Sequence, residues 1–240
     1  MLLVGNGRLI TRDEAFPYAE DGAVALDGEV IKEVGALSEL RAKYPDAEFV
    51  DARGGVIMPG LINVHTHIYS GLARGLSIDG FNPTNFLEVL DGQWWYIDRH
   101  LTLDGTRACA YATVLDCIQD GVTTIFDHHA SFCEIPGSLF AIKDVCQELG
   151  IRANLCYEVS ERDGAEKCGQ AIRENADFAR WAKEQDDDMV KAMFGGHALF
   201  TISDKTFEQM VKANDGMTGF HIHVAEGMND VYDSLRNYGC

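Results

Sequence analysis

VIMPGLINVHTH, residues 56–67, opens a pattern that the rest of the chain repeats: a mostly apolar run, a loop, then helical periodicity. Further runs of the first kind are GVTTIFDHHA (121–130), IRANLCYEV (151–159), VKAMFGGHALF (190–200) and GFHIHVAEG (219–227). Runs this apolar suit strands buried on both faces, as in a parallel sheet. Between them, TRACAYATVLDCIQDG (106–121), GSLFAIKDVCQELG (137–150), GAEKCGQAIRENADFARWAKEQ (164–185) and SDKTFEQMVKAN (203–214) carry helical spacing. Gly121 and Gly150 act as helix stops, and Ser203 stands where it caps the last helix. Strands alternating with helices give an α/β fold whose sheet closes as a barrel or stays open and doubly wound, and periodicity does not choose between them.

Upstream, residues 1–57 hold short alternating runs, LLVGNGRLIT, GAVALDGEVIKEVG and AEFVDARGGVIM, punctuated by Gly and Asp, as in a small antiparallel sheet. GNG at 5–7 lacks the third glycine and the following helix of a dinucleotide site and reads as a turn. The expected organisation is therefore a β module over 1–57 and an α/β domain over 58–240. One connection is long, SGLARGLSIDGFNPTNFLEVLDGQWWYIDRHLT (70–102), as functional rims are. Its FLEVLDGQWWYIDRHL part has room for a helix, and Phe81, Phe86, Trp94, Trp95 and Tyr96 either anchor it or face a substrate.

The bulk composition excludes several classes of function. Twenty Lys+Arg against 38 Asp+Glu give a formal charge of −18, which repels nucleic-acid phosphates and anionic lipids. The acidic residues are scattered apart from Asp186, Asp187 and Asp188, so the charge reads as a solubility device. No run approaches the roughly 18 apolar residues of a membrane span, and the start lacks the basic and apolar regions of a signal peptide, so a cytoplasmic location is expected. Seven cysteines without a CxxC pair fit reduced, buried thiols, Cys109, Cys117, Cys146 and Cys156 among them.

The chemistry rests on histidines. His65 and His67 alternate at a strand end, and period-two geometry turns both imidazoles to one face, a seat for zinc or iron or a structural pair. GFHIHVAEG repeats the arrangement with His221 and His223, followed by Glu226. In parallel α/β folds the C-terminal strand ends share one face, which brings several imidazoles and a carboxylate together. Glu226 is then placed to carry a proton between water and a leaving group.

VDARGGVIMPGLINVHTH (50–67), preceded by VALDGEVIKEVG (24–35), resembles the entry motif of the amidohydrolase superfamily. FGGHALFTIS (194–203) is similar to that family's strand-four histidine motif, and GFHIHVAEG to its strand-five ligand with the HxxE acid. The four motifs stand in order across nearly the whole chain and look closest to the cytosine-deaminase-like aminohydrolases and triazine hydrolases. The resemblance implies a (β/α)8 TIM barrel, of which only about strands 1–5 are present, plus part of a small N-terminal β-sandwich. It implies His65, His67 and His223 as metal ligands, Glu226 as general acid/base and His197 as a substrate-orienting group. His128 and His129 match no required family position, His221 is not matched as a ligand, and His100 is read as a loop residue.

The resemblance further implies one divalent ion, zinc before iron, because binuclear members carry a bridging lysine on strand four, whereas Lys191 stands at the start of this one. The expected reaction is hydrolytic deamination of an aminated heterocycle by attack of activated water. A dehalogenating hydrolase uses nearly the same site, and a catalytically incomplete metal-binding module is the alternative outside enzymes. The partner expected is a small-molecule substrate, with a homodimer possible and neither nucleic acid nor membrane. The family's strand-six His and strand-eight Asp have no counterpart. With five countable strands and terminal Cys240 directly after Gly239, the chain is expected to be a fragment of a longer protein, inactive alone.

Overall fold

The computed structural model describes residues 1–185 and 187–239, so Asp186 of the acidic run and Cys240 lie outside the described residues. The chain forms two compact units, Met1–Gly60 and Leu61–Cys240.

The first unit is one five-stranded sheet built from β1 (Leu2–Ile10), β2 (Tyr18–Asp27), β3 (Val30–Ala36), β4 (Glu48–Asp51) and β5 (Val56–Ile57), with helix α1 (Leu37–Lys43) between β3 and β4. It is mixed rather than antiparallel. β2 pairs antiparallel with β1 and β3, but β4 and β5 both run parallel to β1, because α1 carries the chain across to the far edge. Leu3, Ala23, Ala25 and Leu40 form its small core. GNG is not a turn: it lies within β1, where the register shifts between Val4 and Gly7 and Asn6 takes φ 59°. Asn tolerates that left-handed conformation, so the residues that suggested a turn make a bulge.

VIMPGLINVHTH is likewise not one strand. Val56–Ile57 completes the first sheet, whereas β6 (Leu61–Thr66) begins the second unit. Pro59 cannot donate to a ladder, and the break falls around it.

The second unit repeats strand and helix through β6, α4 (Leu103–Gln119), β7 (Val122–His129), α5 (Ser138–Leu149), β8 (Arg152–Tyr157), α6 (Gly164–Glu184), β9 (Val190–Ala192), β10 (Phe194–Gly196), α7 (Asp204–Asn214), β11 (Phe220–Ile222) and α8 (Met228–Asn237). All strand pairs are parallel, in the order β6-β7-β8-β9 and then β10-β11. The fourth expected strand is interrupted at Met193, its first half pairing with β8 and its second with β11. The long connection holds a 3-10 turn (Ile68–Ala73), α2 (Phe86–Val89), one π-helical turn (Leu90–Trp94) and α3 (Trp95–Asp98), so the expected helix exists. Helix caps follow the sequence reading: Ser203 accepts the Thr206 N–H, and Gly121 and Gly150 adopt φ 78° and 75°. Among the described residues no helix is long and apolar enough to cross a membrane.

Ile125, Leu155, Tyr157, Phe178 and Phe194 are fully buried between sheet and helices; each such side chain contributes about 1.5–3 kcal/mol. β6 and β11 do not share this burial. Ile62 and Val64 are 59% and 66% exposed, and among the described residues β6 pairs only with β7. The expectation of strands covered on both faces holds for β7 and β8, while β6 and β11 are the outer strands of the part of the barrel that is present.

Where the β8–β9 ladder ends, Asn175 of α6 takes over. Its amide oxygen accepts from the Tyr157 N–H (2.9 Å) and the Gly195 N–H (3.1 Å), and its amide nitrogen donates to the Tyr157 carbonyl (2.7 Å). Asn175→Ala strands these buried backbone groups and is expected to cost about 3 kcal/mol or more in urea unfolding. A loss below about 0.5 kcal/mol would contradict this bridging role.

Candidate metal centre

The C-terminal ends of β6, β7, β8, β10 and β11 form one rim. Backbone bonds continue past the strands, with Glu158 N–H to the His129 carbonyl (2.8 Å), His197 N–H to Val159 (2.9 Å) and His223 N–H to His197 (2.8 Å). These bonds set the spacing of the side chains that face inward.

Three imidazoles meet there. The Nε2 atoms of His65 and His67 are 3.0 Å apart, those of His65 and His223 3.2 Å, and those of His67 and His223 3.3 Å. Two of these rings are oriented through Nδ1, that of His67 against the His128 carbonyl (2.8 Å) and that of His223 against the His197 carbonyl (3.2 Å). A carbonyl only accepts, so both Nδ1 atoms carry the proton and both Nε2 atoms present lone pairs. Burial pushes the pKa of His67 and His223 down, against the backbone bond and nearby carboxylate charge, so both rings are neutral. Facing lone pairs at 3.3 Å repel, and a cation between them removes the repulsion. With metal–nitrogen bonds of about 2.0–2.1 Å, a tetrahedral ion separates its nitrogens by about 3.3–3.4 Å, so the triangle fits one.

Asp127, at the end of β7, pins the turn beyond His67: its Oδ1 accepts the Ile68 N–H at 2.7 Å. Its other oxygen is buried without a partner, and burial pushes its pKa up to about 8.

Glu226 lies beside the triangle, its Oε2 3.5 Å from His197 Nε2 and without a hydrogen-bond partner. Its pKa is pushed up to about 7, first by burial and then by the charges of Glu158 and Asp230. Its own backbone N–H is fixed to Asp230 Oδ2 (2.9 Å), which sets the turn into α8. His197 is held from behind by Thr201 Oγ1 at its Nδ1 (2.9 Å), leaving Nε2 towards Glu226. These groups line a cleft of about 760 Å³ whose opposite wall is Phe86, Leu90, Trp94 and Trp95 from the long connection. The aromatics that sequence left undecided thus divide: Phe86, Trp94 and Trp95 face the cleft, Phe81 packs on Gly92, and Tyr96 is exposed.

The connection is anchored by charge. Buried Arg162 pairs with both Asp98, the last residue of α3, and Glu158, beyond β8, while Arg99 bonds Asp163 at 2.7 Å. One guanidinium serves two carboxylates. Burial works against both ionised forms. Arg162 and neighbouring imidazoles nevertheless hold Glu158 well below the usual range, whereas Asp98 is pushed up to about 8. Arg162 also stacks over Trp95, with 5.1 Å to the ring centre.

The structure brings His65, His67, His223, His197 and Glu226 into one cluster. Lys191 bonds the Asp187 carbonyl on the outside, away from it. His129 is buried against Ser131, and His100 is exposed and bonded to the Tyr96 carbonyl. Sequence reasoning missed Glu158, Asp127 and Arg162, although Glu158 and Arg162 stand four residues apart, and it left His128 between the pocket rim and a structural use, whereas its carbonyl orients His67.

Residues 56–240 match the amidohydrolase family, and residues 22–47 match the bacterial imidazolonepropionase-like composite domain. The chain belongs to the amidohydrolase family. Among curated relatives, a 5-methylthioadenosine/S-adenosylhomocysteine deaminase of Thermococcus onnurineus is 30% identical over 99% of this chain and 52% of its own length. A 5'-deoxyadenosine deaminase of Methanosarcina barkeri is 28% identical over 99% of this chain and 52% of its own. The chain thus spans about half the length of these amidohydrolases. Zinc-complexed atrazine chlorohydrolase TrzN from Arthrobacter aurescens TC1 superposes with TM-score 0.81 at 23% identity, covering 100% of this chain and 56% of that one. The fold is that of the family's α/β barrel, with its first five strands.

Asp127 supplies a test of site electrostatics. Its folded-state pKa lies above the unfolded value, so its contribution to stability is complete at low pH and is lost as pH rises through about 8. Relative to Asp127→Asn, which keeps the acceptor and cannot ionise, the parent is expected to lose stability between about pH 4 and about pH 8. Parallel urea-unfolding profiles for the two proteins would contradict it.

Proposed function

We propose that this chain carries the metal-binding and proton-transfer groups of an aminohydrolase that removes ammonia from an aminated heterocycle. The observation that carries the reading is the triangle of Nε2 atoms from His65, His67 and His223 with the protonatable Glu226 beside it. Several curated relatives are named as deaminases of adenosine derivatives, which supports the choice of substrate class.

His65, His67 and His223 would hold one divalent ion, for which zinc suits three imidazole ligands. When bound, the ion supplies Lewis-acid activation of water and of the ring carbon under attack. Glu226, with a pKa near neutrality, holds a proton at Oε2 and can pass it to the departing amino group. His197 Nε2 lies 3.5 Å from the same oxygen on the cleft wall and is placed to orient a substrate bound beside the pair. Phe86, Trp94 and Trp95 stack against a flat ring and exclude water from that side.

Glu226→Gln is expected to leave metal content unchanged and to lower turnover about 10²–10⁴-fold in a protein carrying this chain, read as ammonia released from aminated heterocycles. His65→Ala is expected to lower metal content itself. Undiminished turnover in Glu226→Gln refutes its role, and halide release in place of ammonia refutes the reaction.

A further inference from the structure

Beside the triangle lies a second set of donors, contributed by three different strands and used by nothing above. Cys156 of β8 places its Sγ 3.7 Å from Nδ1 of His128 on β7 and 3.6 Å from Nδ1 of His221 on β11. One donor atom from each of the three residues lies within 4.8 Å of the other two. A tetrahedral ion with bonds of about 2.0–2.1 Å to nitrogen and about 2.3 Å to sulfur holds the two donor types about 3.6 Å apart, which matches both distances.

Hydrogen bonding alone satisfies this group poorly. The thiol has one proton and donates it to the Asp127 carbonyl at 3.4 Å, so neither imidazole receives it. The state of His128 adds a second observation. Its Nε2 is buried without a hydrogen-bond partner and faces Glu158 Oε2 at 3.6 Å, where Arg162 pairs with the same carboxylate. The Nε2–H directed at Glu158 leaves Nδ1 as a lone pair aimed at the sulfur. An imidazole backed by a carboxylate on one nitrogen and bare on the other is how proteins orient metal-ligating histidines. Entry is open, because His221 is part of the cleft wall while His128 and Cys156 are fully buried behind it.

We infer that Cys156, His128 and His221 form a second metal site, for a borderline-soft divalent cation of the zinc class, separate from the His65/His67/His223 triangle. Coordination replaces the thiol proton, which leaves to solvent, and the sulfur bonds as thiolate. The ion ties β7, β8 and β11 together behind the first site. This inference does not rest on the aminohydrolase reading, since it concerns different side chains and is tested without turnover.

The test is titration of a metal-stripped protein carrying this chain with cobalt(II), following the thiolate-to-cobalt charge-transfer absorption in the near ultraviolet. The band is expected in the parent, in a His65→Gln/His67→Gln variant that lacks the first site, and in Cys133→Ser, which removes an exposed thiol. It is expected to vanish in Cys156→Ser and to need at least about tenfold more cobalt in His221→Gln. No band in the parent, or a band unchanged in Cys156→Ser, overturns the inference. Where circular dichroism shows Cys156→Ser to be unfolded, His221→Gln decides, and undiminished cobalt affinity there overturns it equally.

Discussion

The centre depends on two hydrogen bonds that point imidazoles the wrong way for an apolar core. Because the His128 and His197 carbonyls fix the protons of His67 and His223 on Nδ1, the bare Nε2 atoms of these two rings are brought together beside Nε2 of His65. Backbone carbonyls at strand ends are rigid, so the arrangement is preorganised by the sheet itself and needs no induced movement. The strands contribute position, and the carbonyl bonds contribute protonation state.

Around this centre the charged groups form a second framework. Arg162 joins Glu158, at the rim, to Asp98, at the end of the long connection, and covers Trp95. Burying an ion cluster is costly, and such a cluster persists where partners are complete and geometry is specified. Here it specifies where the aromatic wall of the cleft stands relative to the histidines. Glu158 acts on both sides of this boundary, since its second oxygen faces His128.

Much of this was legible in the chain itself. Alternation of apolar runs with helical spacing identified the five parallel strands, and HTH and HIHVAE identified the cluster, because period two determines which side chains share a face. What periodicity could not reveal were events decided by single residues or by pairing partners. Pro59 divided an apparent strand, Asn6 turned an apparent loop into a bulge, and α1 carried β4 to a parallel place beside β1. Asp127 and the pairing of Arg162 with Asp98 gave no pattern, because contacts between residues so far apart leave no local spacing to read.

The register of β6 has a mechanical consequence. A slide of one residue against β7 would turn His65 and His67 to the opposite side. Besides the ladder itself, two polar bonds oppose that slide, the Asp127 bond to Ile68 and the His67 bond to His128, both just past the last ladder pair. The groups that orient the histidines therefore also keep the alignment of the strand that presents them.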